Sequence, residues 1–327
     1  MRFLPDDEQR EFARTLDRML TAADTPSAVR AWATGDHTPG RALWTRLADA
    51  GVLALAVPEA YDGGLGPLPV ELALAFVELG RHAVPGPLVE TVAAAALLDA
   101  LGDPGDPGLA KEWLPRIASG RAMVTLGSGP YVLDADASDA VLVVDGDRLL
   151  LAGAPGPVRP GLDPARRLFR PTGGTVLASG PAVLAAADRA ADRAALATAA
   201  QALGVGLALL ARTVEYVKQR RQFGAAIASF QAVKHRLADT LLALEFARPL
   251  LHAAALTGTA PDLAAAKAAC CDAAHAAART ALQLHGAIGY TAEYDLSLWI
   301  TKARALRSAW GTPAQCRARV LGGPRTG

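Results

Sequence analysis

Residues 194–217 read AALATAAQALGVGLALLARTVEYV. Leu196, Leu203, Leu207, Leu210, Val214 and Val217 recur at spacings of 7, 4, 3, 4 and 3. That period places one apolar stripe along a long helix, a seam on which other helices pack. The stretch from Ala194 to Ala211 is uncharged between Arg193 and Arg212. Its Thr198, Gln201, Gly204, Gly206 and many alanines read as a buried bundle helix rather than a membrane span.

Downstream the pattern stays helical. A break is expected at Phe223-Gly224, and Ser229 reads as the N-cap of the next helix, which continues to at least Phe246. Pro249 should kink or end it. Thr259-Ala260-Pro261-Asp262 has the cap, proline and early acid of a helix start, and that helix runs to about His285 and stops at Gly286. A last helix follows Pro313. Upstream, Glu8–Leu20, Arg41–Ala50 and Leu68–Arg81 read as helices. Between Leu68 and its predecessor lies a turn-rich stretch, Val57 to Pro67. Gly102 to Gly108 reads as a loop. From Arg121 the texture changes. Met123–Leu126 reads as a strand, and Ala140–Val144 and Arg148–Leu151 flank Asp145-Gly146-Asp147 as a hairpin. This β-rich zone ends near Ala182, too short for a full barrel or sandwich.

The chain has 327 residues, about two domains by length alone. The texture divides it into 1–120 (helical), 121–184 (a shortened β domain) and 185–327 (a helical bundle). The fold expected is mainly α, with a C-terminal four-helix bundle. Lys and Arg total 33 against 32 Asp and Glu, so no net field recruits nucleic acid. Hydrophobic residues make up 51% and aromatics only 5%, an Ala/Leu/Val core suited to close-packed helices. Three cysteines imply no disulfide framework, and Met-Arg-Phe-Leu-Pro-Asp-Asp-Glu at the start has no apolar signal region. The expected location is the cytoplasm. There is no Gly-x-Gly-x-x-Gly after a strand, no Walker loop and no Gly-x-Ser-x-Gly elbow. Cys271 and His275 lie four apart with Cys270 adjacent, but without a second pair they read as packing, so no metal is expected.

The informative blocks are Arg220-Arg221-Gln222-Phe223-Gly224, then Phe230-Gln231-Ala232 with Leu237-Ala238-Asp239, and Gln283-Leu284-His285-Gly286-Ala287-Ile288-Gly289-Tyr290. A third is Pro58-Glu59 with Tyr61 and Gly63-Gly64-Leu65-Gly66. In their order along the chain, Pro58 first and Gln283 last, they resemble the acyl-CoA dehydrogenase flavoprotein family. The resemblance implies that Arg220, Gln231, Gln283 and Gly286 grip the ADP half of an FAD held by a neighbouring subunit, with Phe223 packed against it. The chemistry is apt. A guanidinium donates paired, charge-assisted bonds to pyrophosphate, and glutamine both donates and accepts. The implied reaction is α,β-dehydrogenation of an acyl-CoA thioester, with electrons passing to an external acceptor.

Two departures matter. The family's base is a glutamate in Tyr-Glu-Gly-Thr. Here Gly311-Thr312 is kept, Thr312 being counted with the cofactor-binding residues, but Trp310 occupies the base position and indole cannot abstract a proton. The alternative base position on the long helix falls at about Ala194, also inert, so no catalytic residue is assigned. The family's Thr-Glu-Pro-x-x-Gly-Ser segment is also missing. Leu126-Gly127-Ser128-Gly129-Pro130 stands in its place. The chain thus keeps groups donated across a subunit interface and lacks those a subunit uses for its own flavin. It resembles the base-lacking small subunit of heteromeric acyl-CoA dehydrogenases of the actinobacterial steroid side-chain type. That implies an α2β2 assembly with a second dehydrogenase-like chain. Two other readings stay open: a self-sufficient homomer with a base such as Glu215 or Glu293, and a structural or binding paralogue without redox chemistry.

Overall fold

A computed structural model describes residues 4–102 and 108–322 of the chain. The expected loop at 102–108 therefore lies largely outside the described residues. The chain divides into two compact units: Met1–Pro26, Ala73–Ala83 and Thr198–Gly327 form one, Ser27–Leu72 and Val84–Ala197 the other. The helices α4 (Pro69–Arg81) and α7 (Pro181–Gln219) contribute to both, as does α2 (Thr25–Thr34) through its first turn.

In the second unit, α2 (Thr25–Thr34) and α3 (Thr38–Asp49) precede the turn-rich stretch, and α5 (Leu88–Gly102) and α6 (Gly108–Ala118) follow it. The sequence reading missed α2. In the turn, a Cβ on Gly64 would stand 2.2 Å from the Pro58 carbonyl oxygen, and one on Gly66 2.1 Å from that of Leu55. Only glycine permits that backbone approach. Helix α5 is apolar on every side and buried, and its Thr91 hydroxyl donates to the Val124 carbonyl at 2.6 Å, tying helix to sheet.

Strands β1 (Val124–Gly127), β3 (Ala140–Asp145), β4 (Arg148–Ala154) and β7 (Thr172–Ser179) form one sheet in the order β1-β3-β4-β7. The expected hairpin is β3–β4, with Asp145 opposite Arg148 and Gly146 at φ 60° in the two-residue turn. β1 lies parallel to β3, and a bulge between Leu149 and Leu150 shifts the β4–β7 register. A second sheet orders β2 (Val132–Leu133), β6 (Leu168–Phe169) and β5 (Val158–Arg159) as β2-β6-β5. Its small core is Val132, Ala135 and Phe169.

Asp134 follows β2 and is fully buried. Its Oδ1 accepts from Trp32 Nε1 at 3.0 Å and from the Arg167 backbone N–H at 3.2 Å. Burial pushes its carboxyl up to about 7, and Glu90 adds to the rise while the Trp32 bond opposes it. A carboxyl raised on folding favours the folded state at low pH and loses that contribution as pH climbs from about 4 through 7. Asparagine keeps both accepted bonds without a charge. The stability advantage of Asp134→Asn over the unsubstituted chain is expected to widen by roughly 2 kcal/mol between pH 5 and pH 7. Urea titrations at both pH values read this directly, and a constant gap would refute the assignment.

The other unit holds α1 (Asp7–Thr21), α8 (Gln231–Thr257), α9 (Ala260–His285), α10 (Leu296–Leu306) and α11 (Pro313–Val320) with the C-terminal parts of α4 and α7. Helix α1 opens on a capping box in which Asp6 and Gln9 satisfy each other's backbone N–H groups. α9 is the hub, packing against α8, α10 and α11. Where α4 meets α7, Gly80 and Gly204 let the two backbones touch: a Cβ on Gly204 would lie 1.9 Å from the Val77 carbonyl oxygen. α7 is long and apolar enough to cross a membrane, but 89% of its most apolar window is buried inside the protein. Its apolar surface is used in packing.

Three helical expectations need correction. Ser229 is no N-cap: it closes a 3-10 turn, its hydroxyl donates to the Ala226 carbonyl at 2.7 Å, and Phe230 precedes the helix without a side-chain cap. Pro249 does not end α8, which runs on to Thr257. Its missing donor faces the exposed side, while Leu244, Ala247, Leu251 and Ala254 keep the buried side continuous. The sequence reading also passed over α10. The expected Thr259 cap is present, its hydroxyl accepting from the Asp262 N–H at 3.4 Å.

Candidate functional site

The end of α7, the start of α8 and the end of α9 meet at one end of the bundle. Arg220 directly follows α7, and the chain turns back through the tight hairpin Arg221-Gln222 with Ala225-Ala226. Phe223 and Gly224 form its tip at φ 51° and 77°. The Arg220 carbonyl accepts from Ile227 at 2.9 Å, closing the hairpin onto the helix end. Phe223 is 93% exposed and meets Phe230 edge-on at 6.3 Å between centroids. Phe230 is followed by Gln231, the exposed first residue of α8.

One turn further, Arg236 donates to Gln283 Oε1 and joins α8 to the last turn of α9. The α9 end is held a second way. His285 is 5% exposed, its ring stacks on Tyr216 of α7 at 4.1 Å, and Nδ1 donates to the Ala281 carbonyl at 2.8 Å. A carbonyl accepts only, so Nδ1 carries the proton. Burial lowers the ring's basicity, keeping it neutral. Gly286 then ends the helix at φ 65°, and nothing lies within 4 Å of where its Cβ would be. Glycine is needed there for the left-handed backbone, and the space beside it is open.

Arg220, Phe223, Gln231, Gln283 and Gly286 are therefore gathered at this end, all exposed. Thr312 and Trp310 are not among them. They sit in the α10–α11 connection, which Lys267 ties to α9: Nζ donates to the Leu306 and Gly311 carbonyls, each at 3.1 Å, and to Cys271 Sγ at 3.3 Å. Lys267 is 16 residues before Gln283, about 24 Å along α9 at 1.5 Å per residue. The Thr312 hydroxyl caps α11 and bonds Gln315 in a capping box. Trp310 holds φ 55°, uncommon for a side chain of its size.

An ADP moiety suits the gathered set. The Arg220 guanidinium makes no hydrogen bond or ion pair with the described residues and extends from a helix end into solvent. Beside it stand an exposed aromatic face and a glycine with open space. Glu215 is exposed and paired with Lys218 at 2.8 Å, and Glu293 is exposed. Ala194 is fully buried in α7. Cys270 and Cys271 are fully buried with their thiols pushed up by burial, and Cys271 serves Lys267. Lys267, Arg236 and the Tyr216–His285 stack were not singled out from sequence. The one available signal was Lys267 itself, an isolated charge in the alanine run of α9.

The acyl-CoA dehydrogenase N-terminal domain model matches residues 6–121, and the acyl-CoA dehydrogenase C-terminal domain model matches residues 184–321. The chain is 32% identical over 320 residues to acyl-CoA dehydrogenase IpdE2 of Mycobacterium tuberculosis, covering 97% of each. Acyl-CoA dehydrogenase FadE27 of the same organism is 28% identical, with 95% of each chain covered. Among solved structures, a chain of the ChsE4-ChsE5 complex from Mycobacterium tuberculosis superposes with a TM-score of 0.82 at 26% identity, covering 98% of both. The Tcur3481-Tcur3483 steroid ACAD G363A variant gives 0.80 at 26% identity over 97% of both chains. The two domain models together span most of the sequence, and the chain belongs to the acyl-CoA dehydrogenase family of FAD-dependent oxidoreductases.

Proposed function

We propose that this chain is one subunit of a heteromeric acyl-CoA dehydrogenase, supplying the ADP-side clamp for FAD while a second dehydrogenase-like chain supplies the catalytic glutamate. The observation that carries the reading is a mismatch within one molecule. The groups suited to a dinucleotide are exposed together, yet tryptophan stands at the base position and a buried alanine at its alternative. The two similar structures whose names pair two chains support the same assembly. So does α8, whose Leu242, Phe246 and Leu250 are 53%, 72% and 43% exposed at a spacing of four. An apolar stripe of that kind marks an interaction surface. The substrate proposed is an acyl-CoA thioester, with a steroid-derived acyl group favoured by the likeness to a steroid ACAD.

In this reading Arg220 binds pyrophosphate oxygens, Gln231 and Gln283 supply donors and acceptors, and Phe223 covers the nucleotide. Bound FAD supplies the hydride acceptor for dehydrogenation. Arg236 fixes the Gln283 amide, so the clamp is preorganised across two helices. The test is Arg220→Ala in the complex purified with its partner chain. FAD affinity is expected to fall at least tenfold, read as flavin absorbance per protein after dialysis. Unchanged flavin content, or full flavin in this chain alone, refutes the division of labour.

A further inference from the structure

The cavity that carries an inference lies well away from the gathered residues. It has a volume of about 240 Å³ and is bounded by α1, the C-terminal part of α4, α7 and α8, all within one compact unit. Its walls are largely apolar: Ala13, Leu74, Val77, Leu203 and Leu251. Set among them are Glu78, Arg81, Arg248 and His252, with Arg10 and Arg14 at the α1 side.

Two of these polar groups are unsatisfied. Glu78 Oε2 and Arg81 Nε are shielded from solvent and make no hydrogen bond. Their side chains approach only to 3.6 Å, too far for one. Shielded groups of this kind are rare, because each forfeits its hydration without recompense. The position of Arg81 is not accidental slack, since its own carbonyl accepts from Trp299 Nε1 at 2.8 Å, which fixes the end of α4.

The charge balance favours an anion. Burial pushes Glu78 up to about 7, so it is substantially protonated at neutral pH. His252 is 7% exposed and held neutral by burial and by Arg248. Arg10, Arg14 and Arg248 do have carboxylate neighbours in Asp7, Glu11 and Glu245, but each is an exposed contact three residues away on the same helix. Such pairs are weak and exchange readily. Asp17, the remaining acid nearby, is bonded to His82 at 2.8 Å.

We infer that this cavity binds a medium-chain aliphatic carboxylate, its head group between Arg81 and Arg248 and its tail against the apolar walls of α4, α7 and α8. At the packing density of protein interiors the volume admits about 180 Å³ of ligand atoms, roughly an eight-carbon acid. The carboxylate satisfies the orphaned Arg81 Nε–H, and protonated Glu78 donates to it.

The test is calorimetric titration of the full chain with octanoate, and with acetate and octan-1-ol as head-only and tail-only probes. Octanoate should bind saturably at one site, with both controls at least tenfold weaker. Arg81→Gln should weaken octanoate at least tenfold, and Ala13→Leu should abolish it by filling the cavity. Arg248→Gln, on the other side of the proposed head-group position, serves if Arg81→Gln fails to fold. The inference is overturned by no saturable binding up to about 5 mM, by octan-1-ol binding as tightly as octanoate, or by octanoate binding that survives Ala13→Leu. The last result would place the acid elsewhere in the chain. None of these substitutions touches the proposed FAD clamp, so the outcome is independent of Arg220→Ala.

Discussion

Gly204→Leu is expected to remove most or all of the stability of the helical unit. A Cβ at this position would stand 1.9 Å from the Val77 carbonyl oxygen and 2.9 Å from the Arg81 nitrogen. Both are backbone atoms, so no rotamer change relieves the clash. The crossing is reciprocal: a Cβ on Gly80 would come within 2.0 Å of the Gln201 carbonyl oxygen. Neither helix can retreat cheaply. α4 is fixed at its end by the Trp299–Arg81 bond, with Arg212 stacked 3.8 Å from the Trp299 ring centroid. α7 is buried along the same stretch, from Thr198 to Leu209. Overpacking a core against side chains costs about 1–3 kcal/mol. Here backbone must move, and about 5 kcal/mol or more is expected, comparable with the whole stability of an ordinary domain. Gly204→Ala should already cost about 2 kcal/mol despite its better helix propensity. Urea unfolding followed by circular dichroism reads both. An alanine variant as stable as the parent would show that the helices do not touch.

These two glycines also show where sequence reading succeeds and where it stops. The stripe from Leu196 to Val217 revealed α7 because its large apolar residues recur at the helical period, even though the helix is buried on every side from Ala194 to Leu209. The Asp145-Gly146 hairpin and the Thr259 cap were legible because both are local chemistry. Gly204 was legible only as an interruption. What it is for depends on Val77, more than a hundred residues away. Ser229 misled because a hairpin delays the helix, and at Pro249, where a kink or an end was expected, the end is excluded by a buried face that continues past the proline. The candidate site divides in the same way. Arg220, Gln231 and Gln283 stand in motif blocks. The Arg236 bond that aims Gln283 and the His285–Tyr216 stack that anchors Gly286 are tertiary facts, whereas the capping box of Thr312 with Gln315 is local chemistry that the sequence reading passed over. The neighbours Cys271 and His275 drew attention as a metal pattern, whereas the partner of Cys271 is Lys267.

That lysine supports the second large prediction: Lys267→Ala should destabilise the chain by about 4 kcal/mol, and Lys267→Met by about 3 kcal/mol. Lys267 is fully buried, where an unpaired charge would be severely unfavourable. Its ammonium has three donors and three acceptors: the Leu306 and Gly311 carbonyls and the Cys271 sulfur. Leu306 ends α10, so its carbonyl is one of the acceptors a helix leaves open and carries the negative end of the helix dipole. Removing the amine leaves the half-buried Gly311 carbonyl unpaired and the Leu306 carbonyl with only the weak Cys271 thiol at 3.6 Å, at about 1–3 kcal/mol each, and alanine leaves a cavity as well. Cys271→Ala should cost clearly less than Lys267→Met, because a thiol is a weak acceptor. The lysine variants should also speed amide exchange between Leu306 and Thr312, for Trp310 is held at φ 55° and a strained residue keeps its conformation only while its surroundings enforce it. Denaturation and hydrogen exchange on the same samples separate the two effects. If Lys267→Met matches the parent in both, the tie contributes nothing. If both change, α9 holds the turn that carries Trp310, and what it holds is the shape of that face, since indole moves no proton.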